Sequence, residues 1–169
     1  LRAVRKEMKK RIEKVKNELP HVTLRIVEGY SGNLIEWLHR GDLDISFLYG
    51  PTHDLHLRCK ELLYEDIALI SAPGKLKGLG KEIKLTDIAH LPIVLPSRPH
   101  GIRILVDNAT AKAGVKLNVA ISGDAFEVLK SLVKTGNYYA FIPFSAINED
   151  LSEGTLEART FVSVSYTHL

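Results

Sequence analysis

Three stretches of the 169-residue chain hold side chains that could do chemistry. Glu28-Gly29-Tyr30-Ser31-Gly32 sets a hydroxyl and a carboxylate among glycines. Ser97-Arg98-Pro99-His100, with Arg103 just beyond, gathers a hydroxyl, cations and an imidazole. His53, Asp54 and His56 share a loop pattern with two metal-type donors and a carboxylate, but no third anchored ligand accompanies the histidines. No metal or other cofactor is expected.

Each catalytic template fails on a particular residue. Gly29-Tyr30-Ser31-Gly32-Asn33 approaches a hydrolase nucleophile elbow, yet Asn33 stands where the tight turn needs its second glycine. Pro73 to Lys81 imitates a phosphate-binding loop, but Lys75 occupies the place of the first glycine and Glu82 that of the magnesium-holding hydroxyl. Cys59 neighbours Lys60 in a strand-like run, where consecutive side chains point to opposite faces, so a structural thiol is expected. Glu28, Asp42 and Asp44 would need burial and a shifted pair to act as acid and base. The chain therefore reads as a binder and not an enzyme.

Binding chemistry fits the second stretch better. A cation at Arg103, in a first helical turn, opposes the helix dipole at a cost of ~0.3–1 kcal/mol. It is rational if an anion sits between it and the backbone N–H groups of that turn. The alternative is an Arg103–Asp107 pair at i,i+4, worth ~0.2–0.5 kcal/mol. The residues leave both open.

The elements that must position these groups are legible from periodicity. Leu1, Val4, Met8, Ile12, Val15 and Leu19 recur at helical spacing, with eight Lys and Arg side chains between Arg2 and Lys16 on the other faces. That basic surface could meet phosphates, but with no aromatic or helix-turn-helix partner beside it the expected reading is a solvated face eased by Glu7 and Glu13. Val22 to Val27 alternates as a strand. Ser31 stands as N-cap of a helix through Leu38, closed by Gly41. Leu43 to Tyr49 is a second strand, completing a βαβ unit with a parallel crossover. Leu57–Leu63 and Ile67–Ser71 read as strands, and Thr86–Ala89 as a short helix. The strand Ile93–Leu95 precedes a helix over Ile102–Ala113 stopped by Gly114. The strand Leu117–Ile121 leads to a helix over Ala125–Lys134 capped by Asp124. Tyr139–Ile142, ended by Pro143, and Thr155–Phe161 are the last strands. Strands and helices alternate, so the class is α/β with parallel sheets. In such sheets ligands sit beyond the carboxyl ends of strands, where both polar stretches fall. Tyr49 and Pro143, at strand ends, could wall such a site.

Bulk composition bounds the answer. Hydrophobic content of 45%, charge of 25% and net charge of +3 are ordinary for a globular chain and too mild for a dedicated nucleic-acid binder. One cysteine precludes an internal disulfide and fits a reducing compartment. No apolar run nears the roughly 18 residues of a membrane span, and no secretory leader opens the chain.

Three separated blocks share a recognisable wording. They are Glu28-Gly29 with Ser31 followed by Gly41-Asp42-Leu43-Asp44, Leu95 to Arg103, and Leu129 to Pro143. Together, over roughly residues 18 to 160, they resemble the effector-binding domain of LysR-type transcriptional regulators. The resemblance implies two Rossmann-like lobes of the periplasmic-binding-protein type 2 fold, truncated here at both ends. Residues 1–71 would form lobe I, without its first strand and C-terminal return. Residues 72–163 would form lobe II, and 164–169 a non-native tail. It implies a small effector held between the lobes, with Ser31, Tyr49, Ser97 and the strand end at Ile142 and Pro143 as pocket members; the residues themselves add Arg98 and His100 as donors, which favour an anion. It also implies DNA binding only through a missing N-terminal helix-turn-helix, a homo-oligomer (dimer or tetramer) to which the first helix contributes, a cytoplasmic location and no membrane partner. The alternative of related fold is the periplasmic solute-binding protein of an ABC transporter.

Overall fold

The computed structural model describes residues 2–48, 56–62 and 64–161. Its centre is a six-stranded sheet: β1 (Ile67–Ser71), β2 (Glu82–Ile83), β3 (Ile93–Leu95), β4 (Val119–Ser122), β5 (Tyr139–Pro143) and β6 (Glu157–Phe161), in the order β2-β6-β1-β5-β3-β4. The helices are α1 (Arg2–Glu18), α2 (Ser31–Arg40), α3 (Leu85–Ile88), α4 (Gly101–Ala113), α5 (Phe126–Lys134) and α6 (Asn148–Ser152), with a 3-10 turn at Phe144–Ala146.

Period-two alternation divides the central strands between two cores. Leu69, Ile93, Leu95 and Phe141 face one side, with Ile88 of α3 and Ile102, Leu105 and Val106 of α4. Ile70, Val94, Ala140 and Ile142 face the other, with Leu129 and Val133 of α5. Both faces of the sheet are thus covered, which is why β1 reads as the unbroken apolar run Ile-Ala-Leu-Ile. The Gly/Lys loop after β1 closes one end of this core. Leu76 is fully buried in it, and the Glu157 carboxylate accepts from both the Ser71 hydroxyl and the Leu76 N–H.

The sheet is mixed rather than parallel. β3 runs parallel to β4 and β5, and β2 to β6, but β1 is antiparallel to both β5 and β6. Ile67 lies opposite Pro143, so the chain enters β1 at the edge where β5 ends. The expected division after residue 71 would also separate β1 from its ladder, since the strand pairs with elements that follow it in sequence.

Three expected strands do not form. Residues 22–27, the described residues 43–48, and the described residues of 57–63 are irregular. Val22, Leu24, Ile26 and Ile45 are exposed, at 40%, 38%, 64% and 78%. Alternation marks a surface suited to pairing, but a strand exists only where a neighbour takes its N–H and C=O groups. No strand among the described residues supplies one here. The βαβ unit is therefore present only as its helix. Cys59 accordingly lies exposed in irregular chain, its thiol near the Leu57 carbonyl, and is not a core thiol. Among the described residues no helix is long and apolar enough to cross a membrane.

Candidate functional site

The parallel register of β3, β4 and β5 brings their carboxyl ends to one edge. Val94 pairs with Ala140, and Leu95 with Ser122, so Pro96, Gly123 and Ile142 come level there. The loops that leave this edge are Pro96–His100, which leads into α4, and Gly123–Ala125, which leads into α5.

Onto this edge comes the start of α2. Tyr30, extended at φ −74° and ψ 151°, holds the N-cap position that was expected of Ser31, and no side chain caps the helix. Ser31 is instead the first helical residue, half-buried. The first N–H groups of a helix have no partner within it. Here one finds it across the site: the Gly32 N–H donates to the Pro99 carbonyl at 3.3 Å. The approach is close because Gly32 has no side chain; a Cβ there would lie 2.5 Å from the Pro99 ring. The Tyr30 hydroxyl donates to the Asp124 carbonyl at 3.2 Å, and its ring lies 5.6 Å from that of His100. The first and second polar stretches therefore meet in direct contact.

Asp124 does not cap α5, a position taken by Ala125. Its carboxylate accepts the Ser97 N–H at 3.0 Å, fixing one loop of the edge against the next. His100 is the N-cap of α4. Its Nδ1 accepts the Ile102 N–H at 3.1 Å, which requires the neutral tautomer with its proton on Nε2. Burial lowers the pKa of His100 below its ordinary 6.5, and the charge of Asp124 opposes that shift.

The cations have found a partner within the chain. Arg103 Nε lies 3.0 and 3.1 Å from the two Asp107 oxygens, and its Nη1 3.3 Å from the Pro96 carbonyl. Arg98 reaches the same carboxylate at 2.7 Å while its side chain stays exposed. Of the two readings left open for Arg103, the i,i+4 pair is the one the fold builds. It also lines an open groove of about 860 Å3 between α4 and β4, with Arg98, Asp107, Thr110, Lys116 and Asn118.

Ser31, Ser97, Arg98 and His100 are thus gathered at one edge of the sheet. Ile142 and Pro143 reach the same edge but are buried, Ile142 within the second core. Tyr49 lies outside the described residues, as do His53, Asp54 and the tail 164–169. Among the described residues no three His, Cys, Asp or Glu side chains could hold a metal ion. Reasoning from sequence placed Tyr30 and Gly32 in a candidate stretch without giving either a role, and named Asp107 only as an alternative partner of Arg103. Only Asp107 left a signal, through its spacing from Arg103.

The chain matches the LysR substrate binding domain model over residues 8–167. It is 26% identical over 140 residues to the HTH-type transcriptional regulator BbuR of Bordetella bronchiseptica, covering 83% of this chain and 43% of that protein. The chain spans about half the length, or less, of the curated relatives it matches. Its fold is similar to the regulatory domain of Synechocystis PCC6803 CcmR in complex with 2-PG (TM-score 0.76, 13% identity, 91% of this chain and 74% of that one). It is also similar to the effector binding domain of QuiR in complex with shikimate (TM-score 0.75, 14% identity, 90% of this chain and 72% of that one). None of these is a transporter's solute-binding protein, and that alternative has no support. A match over nearly the whole chain, on a sheet of this topology, has one consequence: the chain belongs to the LysR substrate-binding domain family, with that family's α/β, periplasmic-binding-protein-like type 2 fold.

Proposed function

We propose that this chain is the effector-sensing part of a LysR-type transcription regulator, and that a small organic anion is what it senses. The observation that carries the reading is the meeting of two polar loops at the carboxyl edge of the sheet, Gly32 with Pro99 and Tyr30 with Asp124. An effector entering between them would exchange these contacts for its own. Ser31 and Ser97 would supply hydroxyls, the starts of α2 and α4 would supply N–H groups, and Arg98 would turn its exposed guanidinium from Asp107 to the ligand. Arg103, with more of its side chain buried, its Nε on Asp107 and its Nη1 on the Pro96 carbonyl, would stay as a brace. Anionic character follows from the donors, and both 2-PG and shikimate, the ligands of the similar domains, carry acid groups.

The effector acts only through unequal affinity for two arrangements of the chain. We assign the residues before Ile67 to one lobe and the sheet to the other, with the site between them. DNA would be bound by a helix-turn-helix elsewhere in the full-length protein, as the name of BbuR indicates for that relative. The regulator would work in the cytoplasm as a homo-oligomer, a dimer or tetramer, and would sense its ligand without turning it over.

A thermal-shift titration with 2-phosphoglycolate, shikimate and simple dicarboxylates tests the reading. A ligand present at 100 times its Kd stabilises by about 2.7 kcal/mol. The expected result is a rise in Tm with at least one acid, lost in Ser97→Ala or Ser31→Ala. A flat response across the panel, or a shift that survives both substitutions, counts against it.

A further inference from the structure

We propose that Tyr30 and His100 form a latch across the effector cleft, in which a neutral His100 and the Asp124 carbonyl hold Tyr30 and keep the start of α2 drawn onto the loop ahead of α4. The proposal rests on the reading of this edge as the effector site and adds what governs its opening.

Three contacts converge. The Tyr30 hydroxyl donates to the Asp124 carbonyl at 3.2 Å. The Tyr30 and His100 rings stand 5.6 Å apart at 53°, within the range of tilted aromatic pairs. Two residues on, Gly32 touches Pro99 through its N–H and its bare Cα. The contacts come from three separate segments, so α2 cannot leave the sheet edge without breaking all of them. His100 is held in turn, because its Nδ1 lone pair receives the Ile102 N–H. Asp124 braces the neighbouring loop through the Ser97 N–H.

This arrangement tolerates only one protonation state. A proton on Nδ1 would set two N–H donors against each other and remove the cap of α4. The groups around the imidazole decide the balance. Tyr30 from the α2 side is uncharged and covers the ring. Asp124 from the α5 side is the one acid that favours the cation. Arg98 and Arg103 on His100's own segment share the single Asp107 carboxylate, and the positive charge left over disfavours a further cation beside them. Burial outweighs Asp124, so the latched imidazole sits below its ordinary 6.5. Unlatched and wet, it returns toward that value. Latching is therefore complete above pH 6.5 and weakens as pH falls through the lowered value.

The chain contains its own reporter. Trp37, its single tryptophan, packs on Gly29, where an added Cβ would lie 3.0 Å from the indole Cζ3. Trp37 emission of the ligand-free protein, followed from about pH 8 to about pH 5 across the histidine range, is expected to show one transition below 6.5. His100→Asn, whose amide oxygen can still accept the Ile102 N–H but does not titrate, is expected to abolish it. Tyr30→Phe is expected to give at neutral pH the emission that the unmodified chain shows only in acid. His39, two residues from Trp37 in sequence, is the control, and His39→Gln is expected to leave the transition in place. A transition that persists in His100→Asn, disappears in His39→Gln, or is accompanied by an unchanged Tyr30→Phe spectrum overturns the latch. Far-UV circular dichroism checks that each variant is folded. Should one not be, NMR titration of His100 in the unmodified chain decides, and a midpoint at or above 6.5 overturns the proposal. No ligand enters these measurements, so failure of the latch and failure of the effector panel are separate results.

Discussion

At the residue scale, the most constrained acid in the described fold is Asp150, and it serves stability. It is buried, with Lys130 Nζ 2.7 Å from one oxygen and Lys134 Nζ 2.6 Å from the other. Its backbone carbonyl accepts from Thr155 and Leu156, tying α5, α6 and the turn into β6 together. Burial alone would raise its pKa, but the hydrogen bonds and charges of the two lysines overcome that and hold it below the ordinary 3.8. A depressed carboxylate contributes stability that is present above its unfolded value and lost as pH falls through the folded one. Asp150→Ala leaves two ammonium groups facing each other, with Lys130 only 13% exposed. It is expected to cost about 3–5 kcal/mol in urea denaturation and to flatten the acid end of the stability profile. A loss under about 1 kcal/mol, the range of exposed pairs, would show that the pair is solvent-screened. The same scale separates Arg103 from Arg98. One i,i+4 spacing placed Arg103 on Asp107, whereas the reach of Arg98 forward across nine residues had no signature in the spacing.

At the scale of elements, stop signals were more dependable than strand signals. Gly41 and Gly114 end α2 and α4 with φ of 75° and 64°, the left-handed conformation that closes a helix. Nothing lies within 4 Å of a Cβ built on Gly114, so Gly114→Ala isolates the backbone term. Its expected cost is ~1–2 kcal/mol, read from thermal denaturation, with no change at the site. Gly32→Ala is the contrasting case. A methyl 2.5 Å from the Pro99 ring forces α2 away from the loop, so Trp37 emission should shift more than the melting temperature. Equal effects in the two variants would contradict that division. These helices were legible because a helix satisfies its own backbone; helical periodicity and a terminal glycine are enough. The alternation of Val22 to Val27 carried no such guarantee. Its partner would have to come from elsewhere in the fold, and Ile26 stays 64% exposed.

At the scale of the whole molecule, the sheet order decides what can act together. β1 is inserted between β5 and β6, which are remote from it in sequence, and β3 pairs with both β4 and β5. These pairings bring Ser97, Asp124 and the end of β5 to one edge, and α2 is laid over it. Read alone, the amino-acid order determined the α/β class, most helices with their stops, the strands of the covered core, and three family blocks in sequence. All of these depend on contacts within a turn or on the pattern of one side chain relative to the next. Tertiary structure alone decided that the sheet is mixed and that Tyr30 reaches Asp124 across 94 positions. It also decided that Asp107 takes both arginines, and that His100 must stay neutral to cap its helix. Those outcomes depend on which distant backbone groups find one another, and pairing free energy is a property of both partners, so neither segment's own residues disclose it.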